Sequence, residues 1–234
     1  MRYLFAAGLV ITTIVAQSVS AGTIVLLSDP SGLSAELEFT LVNPTTLEIR
    51  AKNTSTGVPG GFSNSDQILT GVSWDFGVLG EDPTDPLITG GSVMTGPTSA
   101  SVNFDITNVG SNADVSGEFG YSNMDGSGGL TNVLTSNKAQ ATPFGGANLD
   151  GPANIDGPQG GLVASTPLVA LGGLGAINDE YIATLTLDKP LADLSFLTLN
   201  PVRVEFGSDA AFVPEPASLG LLALGGTALL KRRR

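Results

Sequence analysis

The sequence predicts an all-β fold: a single antiparallel β-sandwich, jelly-roll or immunoglobulin-like, carrying a Gly/Asp/Asn-rich loop insertion. Three observations predict it. Several segments alternate apolar and polar residues with period two, the repeat of a strand with one wet face. Gly (31 of 234 residues), Ser, Thr, Asn and Val abound while charged residues make up only 14%, which suits strands and turns better than helices. Strand signals also stand at both ends of the body, with a loop-rich stretch between them.

The elements follow in order. Thr23 to Leu27 is a short apolar run. From Ala35 to Val42 the chain alternates, with Leu37, Phe39 and Leu41 on one face and Glu36, Glu38 and Thr40 on the other. Asn43-Pro44-Thr45-Thr46 is a turn, and Leu47 to Lys52 alternates again, so the two runs predict a hairpin. In that pairing Arg50 and Lys52 face Glu36 and Glu38 across the strands. Residues 54–66 are a Gly/Ser/Asn loop. Ile68 to Phe76 is the next strand, with Ile68, Val72, Trp74 and Phe76 on one parity. Trp74 has two readings, a core anchor, which is preferred, and a solvent-facing platform for a sugar ring. Residues 80–90 form a Pro-rich acidic turn. Ala100 to Ile106 alternates as a strand, and Val115 to Phe119 is a further candidate.

The middle, residues 121–175, is rich in Gly, Asn and Asp and poor in alternation. It holds a six-residue repeat, Asn148-Leu149-Asp150-Gly151-Pro152 and Asn154-Ile155-Asp156-Gly157-Pro158. Asp-Gly-Pro makes a tight turn, because Asp caps its own backbone and Gly accepts positive φ. The preferred reading is a structured run of turns. The alternative is a structural calcium site of Asp150, Asp156 and Asp125, since oxygen ligands in Gly-rich loops suit Ca²⁺. The spacing matches neither an EF-hand loop nor a nonapeptide calcium repeat. Residues 162–176 supply a short helix or another strand. Tyr181 to Asp188 alternates, Lys189-Pro190 turns, and Leu194 to Leu199 and Val202 to Phe206 close a body spanning residues 22–208. Residues 209–213 are a linker.

Composition excludes much chemistry. There is no Cys, hence no disulfide, thiolate nucleophile or thiolate metal site. There is no His, hence no Ser-His-Asp or Cys-His catalysis and no imidazole ligand. The formal net charge of -12 argues against a nucleic-acid partner, which needs a basic patch. Residues 22–213 hold 21 of the 22 acidic side chains against five cations, which favours solubility.

The two ends differ from the body. Residues 1–21, MRYLFAAGLVITTIVAQSVSA, place Arg2 before an apolar run from Leu4 to Ala16 and end on small residues. That is the layout of a secretory signal peptide, a helix cut by signal peptidase between Ala21 and Gly22. At the other end, Ala217 to Leu230 has no charged residue. As a helix at ~1.5 Å per residue it reaches short of the ~30 Å hydrocarbon core, so it predicts a short, temporary transmembrane anchor. Lys231, Arg232, Arg233 and Arg234 stay on the cytoplasmic side. The order of Val213-Pro214-Glu215-Pro216, a Gly/Leu-rich segment and a basic cluster resembles the PEP-CTERM sorting signal of Gram-negative bacteria that make exopolysaccharide. The resemblance covers residues 213–234 only. It implies recognition by exosortase, a membrane transpeptidase-like protease that cuts near the Pro-Glu-Pro and passes the protein to the cell surface or extracellular matrix.

Three functions are compatible with these residues. The preferred one is a secreted, non-enzymatic protein of the cell envelope or exopolysaccharide, inserted transiently in the inner membrane during sorting, with no cofactor beyond the possible calcium. The alternative is a carbohydrate-binding module built on Trp74, Tyr121, Tyr181, Phe62 or Phe144. An enzyme is not expected. Only carboxylate chemistry remains open to it, for example a glycosidase pair among Asp75, Glu81, Asp82 and Asp85, and no spacing singles out a pair.

Overall fold

A computed structural model describes residues 22–56, 67–77, 84–102, 109–138, 140–146, 155, 160–164, 175–207 and 211–214. The strands are β1 (Thr23–Ser28), β2 (Ser34–Asn43), β3 (Thr46–Asn53), β4 (Leu69–Trp74) and β5 (Ile88–Thr95). Then come β6 (Ala100–Val102), β7 (Gly120–Ser122), β8 (Asn132–Thr135), β9 (Thr142–Pro143) and β10 (Leu162–Val163). The last are β11 (Ala176–Asn178), β12 (Glu180–Leu187), β13 (Arg203–Phe206) and β14 (Ala211–Pro214), with a single helical turn, α1 (Phe196–Leu199), before β13. The described chain is all-β. One sheet has five strands in the order β1-β2-β3-β12-β5; the other has nine, with β4 at its centre between β8 and β13.

The β2–β3 hairpin is the element that the alternation predicted. Leu37, Phe39 and Leu41 are buried, and Glu36 and Glu38 stand opposite Lys52 and Arg50. Asn43 Oδ1 accepts the Thr45 N–H at 3.0 Å and so holds the turn. The inner faces of β2, β3 and β12 supply Phe39, Ile49, Tyr181, Ala183 and Leu185 to one core, which the nine-stranded sheet completes with Val72, Trp74, Leu134 and Val204. Rings bind the two sheets together. Phe39 of β2 meets Trp74 of β4 edge-on at 6.1 Å, and Phe196 of α1 packs edge-on against Phe39 and Phe76 at 6.3 and 5.3 Å.

Several expectations are corrected. The stretch read as a loop insertion contributes β8 to the middle of the nine-stranded sheet, along with short β9 and β10. Every residue of β8 is buried, so no wet face writes an alternation into its sequence. β5 was not foreseen, because Gly90-Gly91 interrupts its pattern. A Cβ on Gly91 would lie 3.3 Å from the Leu185 Cα and closer still to the Thr184 carbonyl oxygen, so β12 needs a glycine beside it. Leu194 to Leu199 is not a strand. Phe196–Leu199 form a helical turn in which the consecutive residues Phe196 and Leu197 are both buried, which a strand with one wet face does not give. Val115 to Phe119 is a 3₁₀ turn over Ser116–Glu118, opened by the Asp114 carboxylate accepting the Ser116 N–H at 2.9 Å. The expected linker 209–213 contains most of β14, which is paired to β13.

Candidate functional site

The two ends of the body approach each other. Gly22 is exposed, and β1 begins one residue later at Thr23. β1 is an edge strand of the five-stranded sheet, and β14 lies beside it at the edge of the nine-stranded sheet. β14 is antiparallel to β13, with Ala211 opposite Phe206, Phe212 opposite Glu205, Val213 opposite Val204 and Pro214 opposite Arg203. Val213 and Pro214 of the expected sorting signal are therefore strand residues. Glu215, Pro216 and Lys231 to Arg234 lie outside the described residues, as do Ala21 and both expected terminal helices, 1–21 and 217–230. Among the described residues no helix is long and apolar enough to cross a membrane.

The buried carboxylates are built into the fold. Asp75, Glu118, Glu180 and Glu205 are each 2% exposed or less. Asp75 Oδ1 accepts the Thr131 N–H at 2.6 Å and the Thr131 hydroxyl at 2.7 Å. Glu180, which opens β12, receives a two-pronged contact from Arg50. Nε and Nη2 each donate at 2.8 Å, and Lys52 Nζ stands 3.5 Å away. The hydrogen bonds from Arg50 hold the Glu180 carboxyl below the usual glutamate range, and the same pair raises the guanidinium. Glu205 faces Lys138 Nζ at 3.3 Å. The sequence placed Arg50 and Lys52 in the right register against Glu36 and Glu38, but the ion pairs go to Glu180, on the neighbouring strand. Nothing local marks Glu180, because its partners come from a strand some 130 residues away in sequence.

Of the expected binding residues, Asp125, Trp74, Tyr121, Tyr181 and Phe144 are among those described. Asp125 is exposed; its carboxylate accepts the Ser122 hydroxyl at 2.9 Å, and its backbone carbonyl accepts the Lys138 ammonium. An ammonium group at that carbonyl opposes a cation there. Asp150 and Asp156 lie outside the described residues. Among the described residues no group of three or more metal-ligating side chains occurs. Glu81 and Asp82 of the carboxylate set are also outside them. Trp74 is the core anchor, fully buried between Phe39 and Phe76, and the platform reading is withdrawn because neither ring face reaches solvent. Tyr181 and Phe144 are buried as well, Tyr121 is half-buried and stacked on Phe144 at 5.3 Å, and Phe62 is outside the described residues.

Burial also pushes the Tyr181 phenol well above its ordinary value. The unfolded chain then loses this proton from about pH 10 while the folded chain keeps it, so stability falls as pH rises beyond that point. Urea titrations from pH 9 upward are expected to lose about 1.4 kcal/mol per pH unit above about pH 10 through this group. Tyr181→Phe is expected to flatten that slope, and an unchanged slope in the variant rules out Tyr181 as its origin.

A protein-family comparison matches residues 212–234 to the PEP-CTERM protein-sorting motif. Comparison with curated proteins and with solved structures gave no match.

Proposed function

We propose that this chain, which carries a PEP-CTERM protein-sorting motif at residues 212–234, is a non-enzymatic protein of the cell envelope or exopolysaccharide. The motif indicates an exosortase-sorted secreted protein, and it implies export and sorting to the envelope or surface. It is the observation that carries the reading. Signal peptidase cuts after Ala21. Residues 217–230 hold the precursor in the inner membrane, with Lys231 to Arg234 left inside, until exosortase removes the tail.

Two features of the body support a structural role. Buried carboxylates at Asp75, Glu180 and Glu205 are engaged by Thr131, Arg50 and Lys138, so they tie together segments distant in sequence. The excess of acidic side chains over residues 22–213 keeps the released chain soluble.

Intact mass of the protein recovered from the surface or medium tests the reading. A mass running from Gly22 to near Pro214 is expected. In a cell with working exosortase, a stable surface species that keeps the tail overturns it. Replacing Pro214, Glu215 and Pro216 with alanine is expected to shift most of the protein to the tail-bearing precursor, with the body still folded.

A further inference from the structure

The sorting motif begins inside the folded body. Its matched residues start at Phe212, while β14 runs from Ala211 to Pro214. Four consecutive residues of β14 pair with β13, and β13 is held on its other side by β4. β14 also lies near β1, the edge strand of the other sheet. We propose that the sorting cut falls C-terminal to β14, so that the mature chain keeps Ala211–Pro214 as a strand of the nine-stranded sheet. This rests on the sorting reading above.

Two physical reasons place the cut there. A protease engages its substrate as an extended strand, and a segment already laddered to its own sheet must first be peeled away. A bond within Ala211–Pro214 has both of its sides in that ladder, whereas a bond C-terminal to Pro214 has the paired strand on one side only. Removing β14 would also uncover the edge of β13, whose Val204 and Phe206 are buried, and a bare apolar edge invites pairing with other chains. Within Val213-Pro214-Glu215-Pro216, the Val213–Pro214 and Glu215–Pro216 bonds are tertiary amides. Pro214–Glu215 is the first secondary amide past the ladder. When it breaks, the Pro214 carbonyl carbon bonds to the oxygen of water, or to the oxygen or nitrogen of an acceptor hydroxyl or amine. The Glu215 amine leaves with the tail and takes up the acceptor's proton.

Peptide mass mapping of the C-terminus of protein recovered from cells with working exosortase tests the assignment. A mature C-terminus at Pro214 or a later residue, without the basic tail, is the expected result. A C-terminus at Val213 or any earlier residue overturns the assignment while leaving sorting intact. An uncut chain ending at Arg234 overturns the sorting reading, and the assignment falls with it. Hydrogen exchange on the mature protein is the second measurement. The amides of Ala211–Val213 that face β13 are expected to exchange at least about tenfold more slowly than in an unstructured peptide. Exchange at unstructured rates shows that the strand is not held, and that too overturns the assignment.

Discussion

Trp74→Ala is expected to destabilise the body by about 3–5 kcal/mol, a large share of a small domain's total stability. The indole is fully buried at the C-terminal end of β4, where it meets Phe39 of the opposite sheet and Phe76 of its own chain segment edge-on at 6.1 and 5.8 Å. Phe39 and Phe76 in turn both rest on Phe196. Truncation therefore opens a cavity across the seam between the sheets, where neither backbone can close in without breaking its ladder. Among the described residues the buried indole Nε1–H has no hydrogen-bond partner, so Trp74→Phe removes an unsatisfied donor along with part of the ring. The phenylalanine variant is expected to lose distinctly less than the alanine one. Equilibrium urea unfolding of the three proteins checks this. A loss below about 1 kcal/mol in Trp74→Ala would mean that the ring does not fill the seam.

Arg50→Met is expected to cost about 3 kcal/mol near neutral pH. It leaves a carboxylate only 1% exposed, with Lys52 Nζ at 3.5 Å as the remaining cation. Arg50 itself is about one-third exposed, so its own loss of hydration on folding is partial. The sign of the pH dependence follows from Glu180. In the native protein its carboxyl sits below the ordinary value, so its contribution is present above the glutamate range and is lost as pH falls through the folded value. In the variant the guanidinium is gone and burial favours the neutral acid. The gap between the two proteins is therefore expected to narrow as pH drops through the carboxylate range. Adding Glu180→Leu to Arg50→Met removes the stranded charge and is expected to recover most of the loss, since well-packed apolar residues often replace a buried pair without penalty. Urea unfolding at neutral and mildly acidic pH measures both effects. A gap that stays constant with pH would exclude Glu180 as its source.

The strands that were legible in the sequence are those with one wet face. β2, β3 and β12 each alternate buried and half-buried residues, and that contrast was visible as period two. β4 and β8 are buried throughout. β4 shows in the shared parity of Ile68, Val72, Trp74 and Phe76, whereas β8, with the sequence NVLT, carries no such signal. The carboxylates that hold the body together were equally silent. Glu180 and Glu205 resemble any exposed acid until Arg50 and Lys138 are brought to them from distant parts of the chain.

The C-terminal address was readable from sequence alone, because a processing enzyme recognises a short linear order of residues and that order is independent of the fold. The same holds for the β2–β3 hairpin, whose strands are adjacent in sequence and whose turn and alternation are local. Tertiary structure alone decided that Trp74 is covered on both faces, that the middle of the chain joins the larger sheet, and that the residues entering the sorting motif form a strand. Each of these depends on pairing between segments far apart in the chain. β14 is a strand only because β13 offers it an edge, and β13 is held there by β4, more than 130 residues earlier.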